Sequence, residues 1–393
     1  MRKKTFIHKK DLSTRARQLA DWFTINQITS TLSADCGRFI NEVHVKHIDK
    51  PPVYSSNWTT GMTVISLLMA YERFNDKTYL ESAERAGNYL KSLQILDHRY
   101  PAAYGFFKEV TPQDTHCHPR DALSAAWGLL HLYWKNRDPE IFDRVRIFAE
   151  WFRQYAMKDG YPAWTVYSEK NKKPYWQKGS FHGGSPLFFF DLYETTRESK
   201  WKSIGLTICD VWTKTFLKKE GSIRVEVDAK TGKDKTGWGP NKGHLGWQDM
   251  HKTNDDFSSL ALLRAYRLTR NVGYLETARQ YLDWVLTLQR KDGAFGRLPV
   301  HSAAATLILE LLDLASLTKE KKYEEALQRS IPHFLSLQEL TDKQPMIHGG
   351  FYCTSGDYAH GNRRELGVRT SCYALAALLR LEGKRSYKEY TAY

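Results

Sequence analysis

The residues that could do chemistry gather in short polar stretches, each just ahead of an apolar run. The plainest is HKTNDDFSSLALLRAY, residues 251–266, where Asp255 and Asp256 stand side by side after His251. Asn254 is a good N-cap, so the two carboxylates fall in the first helical turn, where they favour the helix dipole. Two carboxylates exceed what a cap needs. Adjacent helix positions point about 100° apart, so only one of them faces a site while the other serves the helix end. An N-terminal carboxylate is held ionised, which suits a general base or a water-orienting group unless burial or a second carboxylate raises its pKa.

The layout recurs in HPRD, residues 118–121. Pro119 marks a helix start, and Asp121 is either a cap or an acid/base, with His118 and Arg120 beside it. Glu109, in YGFFKEVTPQDTHCH, is a further candidate acid. His182 and His348 each precede a Gly-Gly pair, and glycine permits tight turns and close backbone approach. Trp58, Trp247, Tyr352 and Tyr358 sit in polar stretches where flat ligands such as sugar rings can be gripped. Arg363, Arg364 and Arg369 precede the last apolar run, and arginine holds a carboxylate in bidentate fashion. The bland reading of each is a capped helix end, a surface histidine or a solvated charge. His116, Cys117 and His118 match no standard zinc spacing, so neither a metal nor a cofactor is expected. The chain has no GxxxxGK[ST], no GxGxxG after a strand, no GxSxG and no HExxH. That disfavours ATPases, dehydrogenases, serine hydrolases and zincins.

The elements that position these residues repeat. YLESAERAGNYLKSLQ (79–94) and YLETARQYLDWVLTLQ (274–289) share their opening Tyr-Leu-Glu and closing Leu-Gln, and YEEALQRSIPHFLSLQ (323–338) keeps the Tyr, Glu and Leu-Gln. Each is amphipathic at helical spacing, with one wet face. Before each comes a helix apolar almost all round, hence buried: 62–74, 257–268 and 303–317. Further apolar helices begin near residues 121, 185 and 370. Alternation of buried and half-wet helices predicts an all-α (α/α)6 toroid, with an open helical solenoid as the runner-up. A helix around 11–30 supplies the outer partner that closes the ring. Residues 221–250 read as a long loop or short strand pair, and 1–393 as a single domain. In a closed ring the inner helices run in one direction, so the polar stretches before them meet at one end in a concave mouth, the usual shape of a ligand site.

Composition suits a globular chain: 393 residues, 41% hydrophobic, 26% charged and 13% aromatic. The net charge of +14 attracts anionic partners. The Lys and Arg are spread along the sequence, so no nucleic-acid partner is expected. No run approaches the length of a membrane span. The N-terminus has no apolar signal segment, and the five cysteines are far apart. These point to a cytoplasmic location, with the oligomeric state left open.

The hairpin pattern resembles the six-hairpin glycosidase superfamily. Within it, SNWTTGMTVISLLMAYERFNDKTYLESAERAGNYL looks like the opening hairpin of unsaturated uronyl hydrolases. The resemblance implies a carbohydrate-active enzyme on an acidic, uronate-containing glycan. An inner-helix Asp, matched by Asp121 or the Asp255–Asp256 pair, would protonate and hydrate an unsaturated uronic acid. Arg120 and Arg369 would hold its carboxylate, and Trp58, Trp247 and Tyr352 would stack on sugar rings. One alternative is a polysaccharide lyase or uronyl 5-epimerase, with His182, His348 or Tyr358 as base. Another is a terpene cyclase or prenyltransferase toroid, suggested by the Gln and Asp-Gly of YLDWVLTLQRKDGAFG. Against it, Thr253-Asn254-Asp255-Asp256 lacks the first acid of Asp-x-Asp-Asp. A third is a non-catalytic helical scaffold or sugar-binding module.

Overall fold

The computed structural model describes residues 9–235, 251–296, 301–353 and 365–383. Six buried helices form the inner ring: α2 (Asn57–Phe74), α4 (Pro119–Asn136), α6 (Pro186–Thr196), α8 (Ser258–Thr269), α10 (His301–Thr318) and α12 (Val368–Leu381). Six more wrap them: α1 (Lys9–Ile25), α3 (Lys77–Leu93), α5 (Pro139–Trp151), α7 (Ser199–Phe216), α9 (Val272–Thr287) and α11 (Lys321–Ser336). Each inner helix packs on the next, and α12 packs back on α2, so the ring closes. The first outer helix, α1, lies against α12 as the closure requires. The architecture is an (α/α)6 toroid.

Local chemistry explains the regular turns. Five inner helices end in a left-handed residue: Asn75, Arg137, Arg197, Arg270 and Lys319. The first four donate their backbone N–H to the carbonyls of Tyr71, Tyr133, Tyr193 and Tyr266, closing the last turn. An outer helix then starts within two residues.

The closing Leu-Gln of the repeat is a clasp between outer helices. Gln94 Nε2 donates to the Arg144 carbonyl at 2.9 Å. Gln289 binds the Ala326 carbonyl at 2.8 Å, Gln338 the Arg15 carbonyl at 2.9 Å, and Gln27 the Ser82 carbonyl at 2.9 Å. An arginine of the neighbouring helix answers each one: Arg329 Nε donates to Gln289 Oε1 at 2.9 Å and Arg85 Nε to Gln27 Oε1 at 3.1 Å. Gln289 of YLDWVLTLQRKDGAFG, residues 281–296, is part of this clasp.

The inner helices are tied to one another below the mouth. Trp127 Nε1 on α4 donates to Asp191 on α6 at 2.8 Å, and Arg264 on α8 bridges Asp191 (3.3 Å) and Glu194 (2.6 Å). Arg267 and Arg380 both grip Asp313 of α10, at 2.9 and 2.5 Å. Arg73 of α2 binds Glu382 at the end of α12, and Lys135 of α4 reaches Glu72 of α2 at 3.2 Å. These contacts link all six inner helices in a loop. Of these, Arg264–Asp191 is fully buried, whereas Lys135–Glu72 lies in solvent, where an ion pair is worth little.

Strands are short and belong to the connecting loops. Residues 226–227 pair with 178–179 of another loop, and Val227 bridges Asp234, so the strand pairing expected around 221–250 takes its main partner from outside that stretch. Ile40–His44 pairs with both 53–54 and 365–367. Among the described residues no helix is long and apolar enough to cross a membrane.

Candidate functional site

The loop before α8 departs from a simple cap. The helix starts at Ser258, and Asp256 and Phe257 take left-handed φ values of 50° and 70°. For non-glycine residues each such conformation costs on the order of 1–3 kcal/mol and tends to mark a constrained site. Asn254 is thus not the N-cap. Asp255 serves the helix end from a distance: its Oδ2 accepts from Ser259 N at 2.8 Å and Ser259 Oγ at 2.6 Å. The left-handed turn sends Asp256 another way. Its Oδ2 lies 2.9 Å from His251 Nδ1, and its Oδ1 accepts from Arg369 Nη2 at 3.2 Å.

The Gly-Gly pair after His182 makes that turn possible. A Cβ on Gly183 would stand 1.9 Å from Ser258 Oγ, and one on Gly184 would stand 2.1 Å from the Asp256 carbonyl oxygen. The two loops interlock only because those carbons are missing.

Around Asp256 the other side chains assemble. The Arg120 and Arg369 guanidinium carbons lie over the same Trp58 ring, at 5.7 and 5.0 Å from its centroid. Arg120 is 6% exposed; it donates to the Phe181 carbonyl at 3.1 Å and to Ser124 Oγ at 2.7 Å. No described carboxylate comes within ion-pair distance of Arg120. Phe181 sets the other wall: its ring centroid is 4.8 Å from His182 and 6.0 Å from His251.

Electrostatics separates the two aspartates. Burial pushes Asp256 up, but the His251 contact and the charges of His251, Arg369 and Arg120 outweigh it and hold the carboxyl down at about 2. Asp255 goes the other way: burial raises it, and its Ser259 bonds do not cancel that. Beside it lies Glu310 of α10, raised well above the usual range by burial and by the Asp255 charge and hydrogen bond. Burial therefore pushes both carboxyls toward their neutral forms. His182 is fully buried, and burial, with Arg120 and His118 nearby, lowers its pKa to about 3, so the ring is neutral.

A second carboxyl pair stands at the His118 corner. Glu109 Oε2 accepts from His118 N at 2.8 Å, and burial, then Asp121, raises its pKa well above the usual range. Asp121 is half-buried at the first turn of α4. His118 Nδ1 is 3.0 Å from the Trp164 carbonyl, whose ring packs on Phe181 at 4.7 Å, which joins this corner to the wall above.

Trp58, Arg120, His182, His251, Asp256 and Arg369 thus come together, with Asp121 and His118 along one side and Asp255 behind. His348 and Tyr352 do not join them. His348 contacts Gln18 Nε2 at 3.2 Å and the Asp342 carbonyl at 2.9 Å, against the outer helix α1. Tyr352 is 5% exposed with its hydroxyl on Glu339, so it offers no face to a sugar ring. The second Gly-Gly serves the outer wall: Gly349 has φ 101°, and a Cβ there would stand 2.3 Å from the Gln18 carbonyl oxygen. Trp247, Tyr358, Arg363 and Arg364 lie outside the described residues.

Two residues escape the sequence reading. Glu310 is one of two carboxylates in AAATLILELLDLASL; Asp313 is paired with Arg267 and Arg380, whereas no described cation pairs with Glu310. Tyr373 of α12 has a fully buried hydroxyl with no partner among the described residues; burial raises it to about 12, with Arg369, Arg120 and Asp256 all nearby. Among the described residues no three His, Cys, Asp or Glu side chains are arranged to hold a metal ion.

No protein-family model matches this sequence, and no curated protein matches it. Solved structures do match over nearly the whole length. A cellobiose 2-epimerase from Bacillus thermoamylovorans superposes with TM-score 0.70 at 13% identity, covering 94% of this chain and 100% of its own. An unsaturated glucuronyl hydrolase from a Bacillus species, described as responsible for glycosaminoglycan degradation, gives TM-score 0.70 at 15% identity over 95% and 97%. A D-mannose isomerase gives TM-score 0.73 at 14% identity over 96% and 98%. At these identities the likeness establishes the shared toroid.

Proposed function

We propose that this chain is a carbohydrate-active enzyme that works by acid–base chemistry on an anionic, uronate-type sugar, and that it hydrates an unsaturated uronyl residue. One observation carries the reading: Arg120 is a buried guanidinium with no described carboxylate in ion-pair reach. A buried unpaired cation is costly, and a substrate carboxylate relieves that cost while fixing the sugar in place. Arg369, on the other side of Trp58, adds a second donor.

The Glu109–Asp121 pair supplies the acid. Two neighbouring carboxyls cannot both ionise readily, so one proton stays available at neutral pH. Glu109 keeps that proton, and Asp121, the more exposed partner, relays it to one carbon of the double bond. Water adds its oxygen at the other carbon and gives one proton back to the carboxylate left behind, so the pair is restored. The structural neighbours named for uronyl hydrolysis and sugar epimerisation fit a sugar substrate on this toroid.

A second reading, epimerisation or isomerisation, draws on a different feature. Neutral His182 and the Asp256-oriented His251 flank Phe181, which suits removal and return of a proton at a sugar carbon. The test is spectroscopic. Hydration consumes the absorbing double bond of an unsaturated uronyl disaccharide, and a lyase acting on a saturated polymer creates one. An epimerase leaves absorbance unchanged but incorporates solvent deuterium. No turnover by any of these measures contradicts both readings.

A further inference from the structure

A cavity of about 390 Å3 lies beside the candidate site, between the hairpin at 157–162, the segment 175–178 and the turn at 228–235. Its size is in the range of roughly 300–1,000 Å3 typical of small-ligand sites. Trp176 and Tyr175 give it aromatic faces, and Lys158, Lys178, Lys230 and Lys235 give it charge. We propose that this cavity is a second saccharide site, taking a carboxylate-bearing sugar residue of a longer acidic chain. The proposal rests on the uronate reading for its choice of ligand, and its binding test does not depend on turnover.

Three facts support it. First, among the described residues the lysines outnumber the acids, since only Asp159 and Asp228 of these line the same cavity. Asp228 is already engaged: its Oδ1 accepts from Lys230 N and from Thr231 N and Oγ1, and its Oδ2 lies 3.4 Å from Lys235. Lys158, Lys178 and Lys230 have no carboxylate in ion-pair reach among the described residues. Second, Lys158 Nζ stands 5.8 Å from the Trp176 ring centroid. A cation beside an indole face suits a ligand with an apolar ring face and an anionic edge, which describes a uronate better than a bare phosphate. Third, the cavity shares a wall with the candidate site. Tyr161 lines it, and the Tyr161 ring meets the His182 ring edge-on at 5.7 Å. The Tyr161 hydroxyl is anchored on the Gly179 carbonyl at 2.9 Å, so this partition is fixed.

The test is isothermal titration of the full chain with a saturated oligogalacturonate, which has no double bond to hydrate. Two classes of site are expected. Trp176→Ala should abolish one class. Lys158→Gln combined with Lys235→Gln should weaken that same class at least ten-fold, and this pair decides the matter should Trp176→Ala fail to fold. Arg120→Gln should weaken the other class at least ten-fold and spare the first. A Trp176→Ala or double-lysine titration indistinguishable from wild type overturns the second site and leaves the uronate reading standing. Loss of the Arg120-dependent class alone from the wild-type isotherm overturns the uronate reading at the mouth and supports the second site. No heat of binding at any concentration overturns both.

Discussion

The carbonyl oxygen of Asp256 occupies the space where a Cβ on Gly184 would stand, only 2.1 Å from it. Two loops that precede different inner helices therefore meet backbone to backbone, and the left-handed turn that aims Asp256 depends on the contact. Gly184→Ala should push this turn outward. Overpacking of this kind destabilises by about 1–3 kcal/mol. Displacing a catalytic group by about 1 Å can cost on the order of 100-fold in rate. Thermal melts together with kcat/KM on an unsaturated uronyl disaccharide check both; a variant with wild-type turnover would show that the turn does not position the chemistry.

The two aspartates should separate on substitution. Asp255→Asn keeps an oxygen for the Ser259 bonds. It also replaces a carboxyl that burial already holds toward its neutral form, so fold and most activity should survive. Asp256→Asn leaves His251 and Arg369 without their shared anion. Breaking a buried pair from one side costs about 3–5 kcal/mol, and letting His251 and Arg369 drift by about 1 Å can cost on the order of 100-fold in rate. Denaturation midpoints and kcat for the two variants should therefore differ sharply, and equal behaviour would make both merely structural.

Arg120→Gln tests the cation that no described carboxylate reaches at ion-pair distance. Its loss removes hydrogen bonds to Phe181 and Ser124 but also a buried charge with no described carboxylate beside it. Stability should stay within about 1 kcal/mol of wild type because these effects oppose each other. Affinity for a uronate should fall by the worth of a charged hydrogen bond, about 1.5–3 kcal/mol, or ten-fold and more. A neutral sugar analogue should bind the variant and the wild type alike, so a parallel loss for both ligands contradicts the assignment.

Acid should weaken the fold partly through His182. Its folded pKa of about 3 lies below the ordinary 6.5 because of burial and the nearby Arg120 and His118. Between those values the unfolded chain binds a proton that the folded chain refuses. The contribution is complete above about pH 6.5 and is lost as pH falls toward 3. From pH 7 to 5 the His182 share is roughly 2 kcal/mol. Glu109 and Glu310, with raised pKa values, pull the other way. Urea midpoints of wild type and His182→Gln over this range isolate the histidine, and the variant should show the smaller acid loss. Asp256 adds a similar loss lower down, as pH drops from its usual 3.8 toward about 2.

Much of this was legible in the sequence because repetition carries physical meaning. The closing Leu-Gln of three helices pointed to a repeat, and the structure explains it: Gln94, Gln289 and Gln338 each bind a backbone carbonyl of the adjoining outer helix. Convergence of Trp58, Arg120, His182, His251, Asp256 and Arg369 followed from inner helices that run one way round a closed ring. The two Gly-Gly tripeptides show the limit. They read alike, yet 182–184 interlocks with the Asp256 turn while 348–350 packs on α1, and only tertiary contacts tell them apart. The Asn254 cap failed for a related reason, since a left-handed Asp256–Phe257 pair depends on the missing Cβ of a residue some seventy positions earlier. Glu310 and Tyr373 lie inside apolar helices, where periodicity assigns them to the core without saying which way the polar atom looks.

The most direct measurement follows the absorbance of the conjugated double bond when the purified chain meets an unsaturated uronyl disaccharide, with Asp121→Asn and Arg120→Gln in parallel. Uronyl hydration requires a steady loss of absorbance that Asp121→Asn abolishes and Arg120→Gln slows through a raised KM. An unchanged signal from the wild-type protein, or a loss that both variants sustain at full rate, would contradict it.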